Sequence, residues 1–224
     1  MDAGKLRLSG IGVALAAGFL LAAATCQAQS MRPGDLAQGK IIVTPRDSAD
    51  PHFANSVIVL ARYGPTGALG LMIHFKSDLT IQKALAGLKG IGQRNDPLFV
   101  GGPVEIPVVL ALLRSKTAPQ LGSQVIGNLY LMASKQSIGA ALAEGRPASD
   151  LRVFIGYSGW GPGQLENEVR RSGWFIFDYD EAIVFDDHPG TLWDRMIGKT
   201  EKRIALGSDG VPKRSDGGPN ETDR

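Results

Sequence analysis

Two apolar stretches, residues 56–62 and 69–75, are separated by Tyr63-Gly64-Pro65-Thr66-Gly67. Turn formers within so short a connector favour a reversal of the chain, so the two stretches are expected to pair as a β-hairpin. A hairpin excludes a purely parallel sheet. Further strands are expected at 41–43, 98–101, 108–113, 126–132, 151–157 and 174–177. The 108–113 stretch is apolar throughout, which predicts a strand buried on both faces. Helices fall between the strands. Thr80 is placed to N-cap one in which Ile81, Ala84, Leu85 and Leu88 share a face, ending near Gly90. Ser134 is placed to cap a second, stopped by Gly145 and Pro147. A third is expected over 164–171, and a short fourth over 191–197 with Trp193, Met196 and Ile197 inward. Together these elements predict one α/β domain with a mixed, mostly antiparallel sheet.

The two ends of the chain differ from this middle. Lys5 and Arg7 precede an uncharged stretch, 8–24, rich in alanine and leucine, and 25–30 is small and polar. This is the three-part layout of a secretory signal, and its apolar part is shorter than the ~20 residues that span a bilayer. Residues 1–28 are therefore expected to be a signal peptide, leaving no stable membrane span after cleavage, with 29–35 as a linker. The expected location is periplasmic or secreted. Cys26 is the only cysteine. Cleavage after Ala28 removes it, and with it any disulfide or thiol chemistry. Thr25 and Ala23 suit a lipidation signal at Cys26 poorly. Translation from Met31 is the alternative, and would leave a cytoplasmic protein. From Gly207 onward the chain is polar with no apolar periodicity, so 207–224 is expected to be a disordered tail.

The net charge of +2 across 224 residues names no partner, and lysine and arginine are interspersed with acids. No basic face and no helix-turn-helix with basic recognition chemistry is visible, so direct nucleic-acid binding is not expected. His52, His74 and His188 lie far apart, without the spacing of a zinc site. The acidic run Asp178, Asp180, Glu181, Asp186 and Asp187 matches no calcium loop, and is expected to be a solvated rim.

Gly156-Tyr157-Ser158-Gly159-Trp160-Gly161-Pro162-Gly163-Gln164-Leu165-Glu166-Asn167-Glu168-Val169 looks like a turn from strand to helix. Its glycines do not have dinucleotide-site spacing, and no Gly-Lys-Ser/Thr follows. Glu166 and Glu168 near the helix start would repel a phosphate there. A nucleophile elbow would need glycine where Trp160 stands, which weakens a serine-hydrolase reading of Ser158. No catalytic residue, metal or cofactor is expected. The segment is instead expected to be a structural turn. Trp160, Gly161, Pro162, Gly163 and Gln164 form the candidate interaction surface, with a protein as partner.

Several motifs occur in order: Gly39-Lys40-Ile41-Ile42-Val43, Asp50-Pro51-His52-Phe53 with Asn55-Ser56-Val57-Ile58, Gly67-Ala68-Leu69-Gly70-Leu71, Gly101-Gly102-Pro103-Val104, and the Gly156 to Val169 segment followed by Trp174. In these the chain resembles the YqgE/AlgH family of bacterial proteins. The resemblance implies a single compact α/β domain over 36–200, its sheet mostly antiparallel and partly barrel-like, with flanking helices. It implies no reaction; some members are described as transcriptional regulators, after a role in alginate production. Such a role would be indirect, and would belong to the cytoplasmic alternative. Relatives commonly carry alanine where Ser158 stands. They usually show Asn-Arg-Pro where this chain has His74-Phe75-Lys76, so any surface role of that segment differs here.

Overall fold

The computed structural model describes residues 29–48, 50–88 and 91–208. The expected signal peptide lies outside them. So does the expected tail, except for Gly207 and Ser208, which end the last helix. The strands are β1 (Gln29–Ser30), β2 (Ile41–Val43), β3 (Val57–Gly64), β4 (Gly67–Met72), β5 (Lys76–Thr80), β6 (Pro97–Val100), β7 (Val104–Arg114), β8 (Ser123–Ile126), β9 (Leu129–Met132), β10 (Leu151–Trp160) and β11 (Phe175–Phe177). The helices are α1 (Ile81–Ala84), α2 (Lys135–Ala143), α3 (Gln164–Arg170), α4 (Glu181–Val184) and α5 (Leu192–Ser208). The stretch expected as a linker contains β1, paired with β11, and a 3-10 turn at Pro33–Asp35.

Among the described residues the strands form one curled sheet in the order β1-β11-β2-β3-β4-β10-β7-β9-β8, with β6 branching from β10 and β5 pairing with β6. Every pairing is antiparallel except β10 with β6, which is parallel. The sheet is a half-barrel. Gln38 draws its open sides together by donating to the carbonyls of Gln124 and Val125, both at 3.0 Å.

Three apolar clusters explain the curl. The concave side holds Val57, Val59 and Ala61 of β3, Leu110 and Leu112 of β7, and Phe154 of β10. Helix α5 covers it with Leu192, Trp193, Met196 and Ile197. On the convex side Ala111, Leu113, Leu151 and Val153 lie under α2. Ile58, Leu60 and Trp160 lie under Leu165 and Val169 of α3. Alternate residues of β3, β7 and β10 therefore enter different clusters, as the two-residue period of a strand requires. Both faces of β7 are covered, as its uniform apolarity predicts. Each fully buried large apolar side chain stabilises the fold by about 1.5–3 kcal/mol.

Several sequence expectations need correction. The helix after Thr80 stops at Ala84, although Thr80 does cap it and Ile81 is buried. The apolar contacts of Leu85 and Leu88 are kept by turns in place of helix. The expected strand 126–132 is a hairpin, with β8 and β9 joined at Gly127-Asn128. Gly127 has φ +51, which suits such a turn. The fourth helix is longer than expected and runs through Ser208. The acidic rim contains α4, capped by the Asp180 carboxylate.

Candidate functional site

The largest correction concerns the glycine segment. Strand β10 does not end at Tyr157; it continues to Trp160, and only Gly161–Gly163 form the turn into α3. Gly156 has φ +65 and sits at a bulge in the β10 ladder. There the neighbour of β10 on one side changes from β6 to β4. The Gly101-Gly102 pair fills this junction. Gly101 donates its N–H to Ile155 O at 2.8 Å and accepts from Met72 N at 2.9 Å. A Cβ on Gly102 would stand 2.3 Å from the carbonyl carbon of Tyr157, and its φ is +153. Only glycine lets the two backbones come this close.

Ser158 is part of the same junction. It is 0% exposed and donates its hydroxyl to Gly101 O at 3.2 Å. A nucleophile needs a general base within hydrogen-bond reach and a path for substrate. Here the hydroxyl faces a backbone carbonyl. Among the described residues, His52 bonds to Asp50 and His74 to the Val57 backbone. Neither of them, nor the exposed His188, hydrogen-bonds to the buried Ser158.

The candidate interaction surface is divided. Trp160 is 4% exposed and belongs to the core, so it is removed from that surface. Gly161, Pro162, Gly163 and Gln164 are exposed. The Phe53 ring stacks on Trp160 at 5.6 Å and meets Trp174 edge-on at 5.5 Å. One oxygen of Glu168 accepts both indole N–H groups, at 2.9 Å from Trp160 and 2.8 Å from Trp174. Its other oxygen accepts from Gln164 at 3.0 Å. Glu166 accepts the Tyr63 hydroxyl at 2.6 Å. Burial, and then that carboxylate, push the Tyr63 pKa up to about 12. The two glutamates thus hold α3 against the sheet. A cleft of about 430 Å³ opens beside them, between Asp47, Asp50 and Phe53 on one side and Arg171 and Trp174 on the other.

The acidic run is also tied into the fold. Lys40 pairs with Asp178 at 2.5 Å, Arg114 with Glu181 at 3.0 Å, and Arg195 with Asp186 at 2.7 Å. Among the described residues no group of three or more histidine, cysteine or acidic side chains is arranged to hold a metal. No helix among them is long and apolar enough to cross a membrane.

Two features escaped sequence reasoning. The first is the edge strand β5, which among the described residues pairs with β6 alone. Phe75, just before it, is 56% exposed, and Leu79 within it is 47% exposed. Beside Phe75 lies a cleft of about 440 Å³ lined by Asn55, His74, Lys76, Trp193 and Asp194. Burial lowers the His74 pKa there. The signal in the sequence was the departure at His74-Phe75-Lys76. The second is Arg152, a charged residue inside the apolar strand β10 and 6% exposed.

Comparison with known proteins agrees with this architecture. Residues 41–205 match the family described as AlgH-like. A UPF0301 protein of Ruegeria pomeroyi is 32% identical over 163 residues, covering 71% of this chain and 89% of its own. One from Anaeromyxobacter dehalogenans is 30% identical over 174 residues, covering 74% and 88%. The solution structure of the AlgH protein from Pseudomonas aeruginosa superposes with a TM-score of 0.61 at 27% identity, covering 78% of this chain and 94% of its own. A crystal structure of a Corynebacterium diphtheriae protein, at 20% identity and TM-score 0.63, shares the fold; it covers 74% of this chain and 87% of its own. The match over most of the folded residues, and a fold shared with AlgH itself, make this chain a member of the AlgH-like family.

Proposed function

We propose that this protein is an exported, non-catalytic interaction module whose β5 edge receives an extended segment of a partner protein. The family is one of uncharacterised function, so the reading rests on this chain's own surface. The observation that carries it is the exposure of Phe75 and Leu79 at an unpaired sheet edge. Edge strands in soluble proteins are ordinarily short, charged or covered, because open N–H and C=O groups recruit other strands. Here two large apolar side chains stand exposed at such an edge, and the cleft beside Phe75 offers space for one anchoring side chain. Backbone pairing would supply affinity, and the cleft would select the anchor.

The non-catalytic part is supported by Ser158, Glu166 and Glu168, which are bonded within the fold. Export is supported by Lys5, Arg7 and the uncharged stretch that follows them. N-terminal sequencing of the native protein tests export. A start near Gln29 is expected; a start at Met31 would sink it and favour the cytoplasmic alternative.

A photo-reactive amino acid placed in turn at Phe75, Leu79, Gln164 and Leu121 tests the surface in the producing cell. Adducts to a protein are expected at positions 75 and 79 and not at 121. Adducts at 164 alone would move the interface to the Gly161–Gln164 turn and overturn the β5 reading. Adducts with a second copy of this chain would replace the partner by self-association.

A further inference from the structure

The convex side of the sheet is incompletely covered at one place. Leu85, Leu88 and Val109 pack against the cluster that contains Ile81, Ala111 and Ile138, yet all three remain only half-buried. Helix α1 ends at Ala84, and the chain goes on in turns. Leu88 N–H donates to Leu85 O at 3.0 Å, and Ile91 N–H to Leu88 O at 3.3 Å. Gly87, at φ +90, has open space where a side chain would stand. A cleft of about 300 Å³ lies among these turns, Val109 of β7, and Lys135 and Ile138 of α2.

The lining carries a single charge. Apart from Lys135, every lining residue is alanine, leucine, glycine, valine or isoleucine, and no acid is among them. Lys135 is exposed, and among the described residues no carboxylate forms an ion pair with it. No acid stands in the first turn of α2 either. Apolar walls favour a hydrocarbon, because burying its surface removes it from water. A polar group in such a pocket fixes orientation, and here that group is a cation, which selects a negative head. The volume is at the lower end for small-molecule pockets, so it suits one short chain.

We propose that this cleft binds one medium-chain fatty acid anion, its alkyl chain against Leu85, Leu88, Val109 and Ile138 and its carboxylate at Lys135. Lys135 and Ile138 are three positions apart on α2 and share a face of the helix. Ile138 is buried and Lys135 exposed, which orders the ligand with its hydrocarbon inward and its carboxylate toward solvent. The bound chain completes the cover that the short α1 leaves unfinished. Phe75 does not line this cleft, so the site does not depend on the β5 contact.

Lys135 is exposed, so its replacement tests the site without disturbing the core. Backbone amide shifts of the isotope-labelled protein are followed while sodium decanoate is added below its micelle concentration at constant ionic strength. Saturable shifts are expected at Leu85, Leu88, Val109 and Ile138. Octanoate, shorter by two methylenes, should bind about tenfold more weakly. Decanol keeps the chain but lacks the charge, and should bind about threefold more weakly than decanoate. Lys135→Gln should bring decanoate down to the level of decanol while leaving decanol unchanged, and Lys135→Glu should weaken decanoate further. Absence of saturable shifts at these residues, or equal affinity for octanoate and decanoate, overturns the proposal. So does an affinity for decanoate that neither Lys135 variant changes.

Discussion

Glu168 accepts the indole N–H of Trp174 at 2.8 Å, and the same carboxylate oxygen accepts that of Trp160 at 2.9 Å. One side chain of α3 thereby fixes the end of β10 and the residue leading into β11. Both indoles are buried, so each N–H would lack a protein acceptor without it. Glu168→Ala is expected to destabilise the protein by about 2–4 kcal/mol, because two buried donors lose their acceptor. Glu168→Gln keeps an oxygen and should cost less. Urea unfolding followed by tryptophan fluorescence measures both. A loss below about 0.5 kcal/mol for the alanine variant would refute the structural role.

Ser158→Ala should change stability by about 1 kcal/mol or less. Gly101 O, which loses the hydroxyl, still accepts Met72 N–H at 2.9 Å. A fluorophosphonate probe is expected to leave the wild-type protein unlabelled. Labelling that disappears in Ser158→Ala would establish a nucleophile and end the non-catalytic reading.

Two glycines of the family motifs should respond oppositely. Gly102→Ala places a Cβ within 2.3 Å of backbone at φ +153, and is expected to cost about 3 kcal/mol or prevent folding. Gly161→Ala meets its nearest atom, a Gln164 side-chain oxygen, only at 4.0 Å, and should be neutral within about 0.5 kcal/mol. Thermal melts of the two variants decide the matter; similar losses would contradict the junction described for β4, β6 and β10.

Stability should fall on mild acidification through His74. Burial lowers its folded pKa below the ordinary value of 6.5, and the unfolded chain keeps that value. Between the two values the unfolded state binds more protons, so stability decreases as pH falls through that window. The contribution is complete above about 6.5 and lost below the folded pKa. Urea midpoints at pH 5 and 7.5 should therefore differ less in His74→Asn than in wild type. Equal differences would assign the effect to other groups.

Much of the fold was legible in local pattern. Thr80 and Ser134 cap the helices they were expected to cap, and the 63–67 connector makes its hairpin. These follow from short-range chemistry, in which a side chain bonds to backbone a few residues away. The misreadings have a shared cause. The chain from Gly156 to Trp160 looked like a turn because glycines permit one, yet pairing with β4 and β7 keeps it extended. Leu85 and Leu88 had helical spacing, but their burial is met by turns. Glycine widens the local choices, and long-range hydrogen bonds make the selection.

The sequence by itself determined a mostly antiparallel α/β domain, its membership of one bacterial family, and strands such as β7 with two buried faces. These depend on periodicity, turn chemistry and ordered motifs, all of which are local in the chain. Only the tertiary structure decided that Trp160 is core and Phe75 surface. It alone showed that Ser158 serves Gly101 across 57 positions and that Arg152 lies between two phenylalanines in a cleft. The physical reason is that exposure and electrostatic environment are properties of packed neighbours. In this half-barrel those neighbours come from strands far apart in sequence.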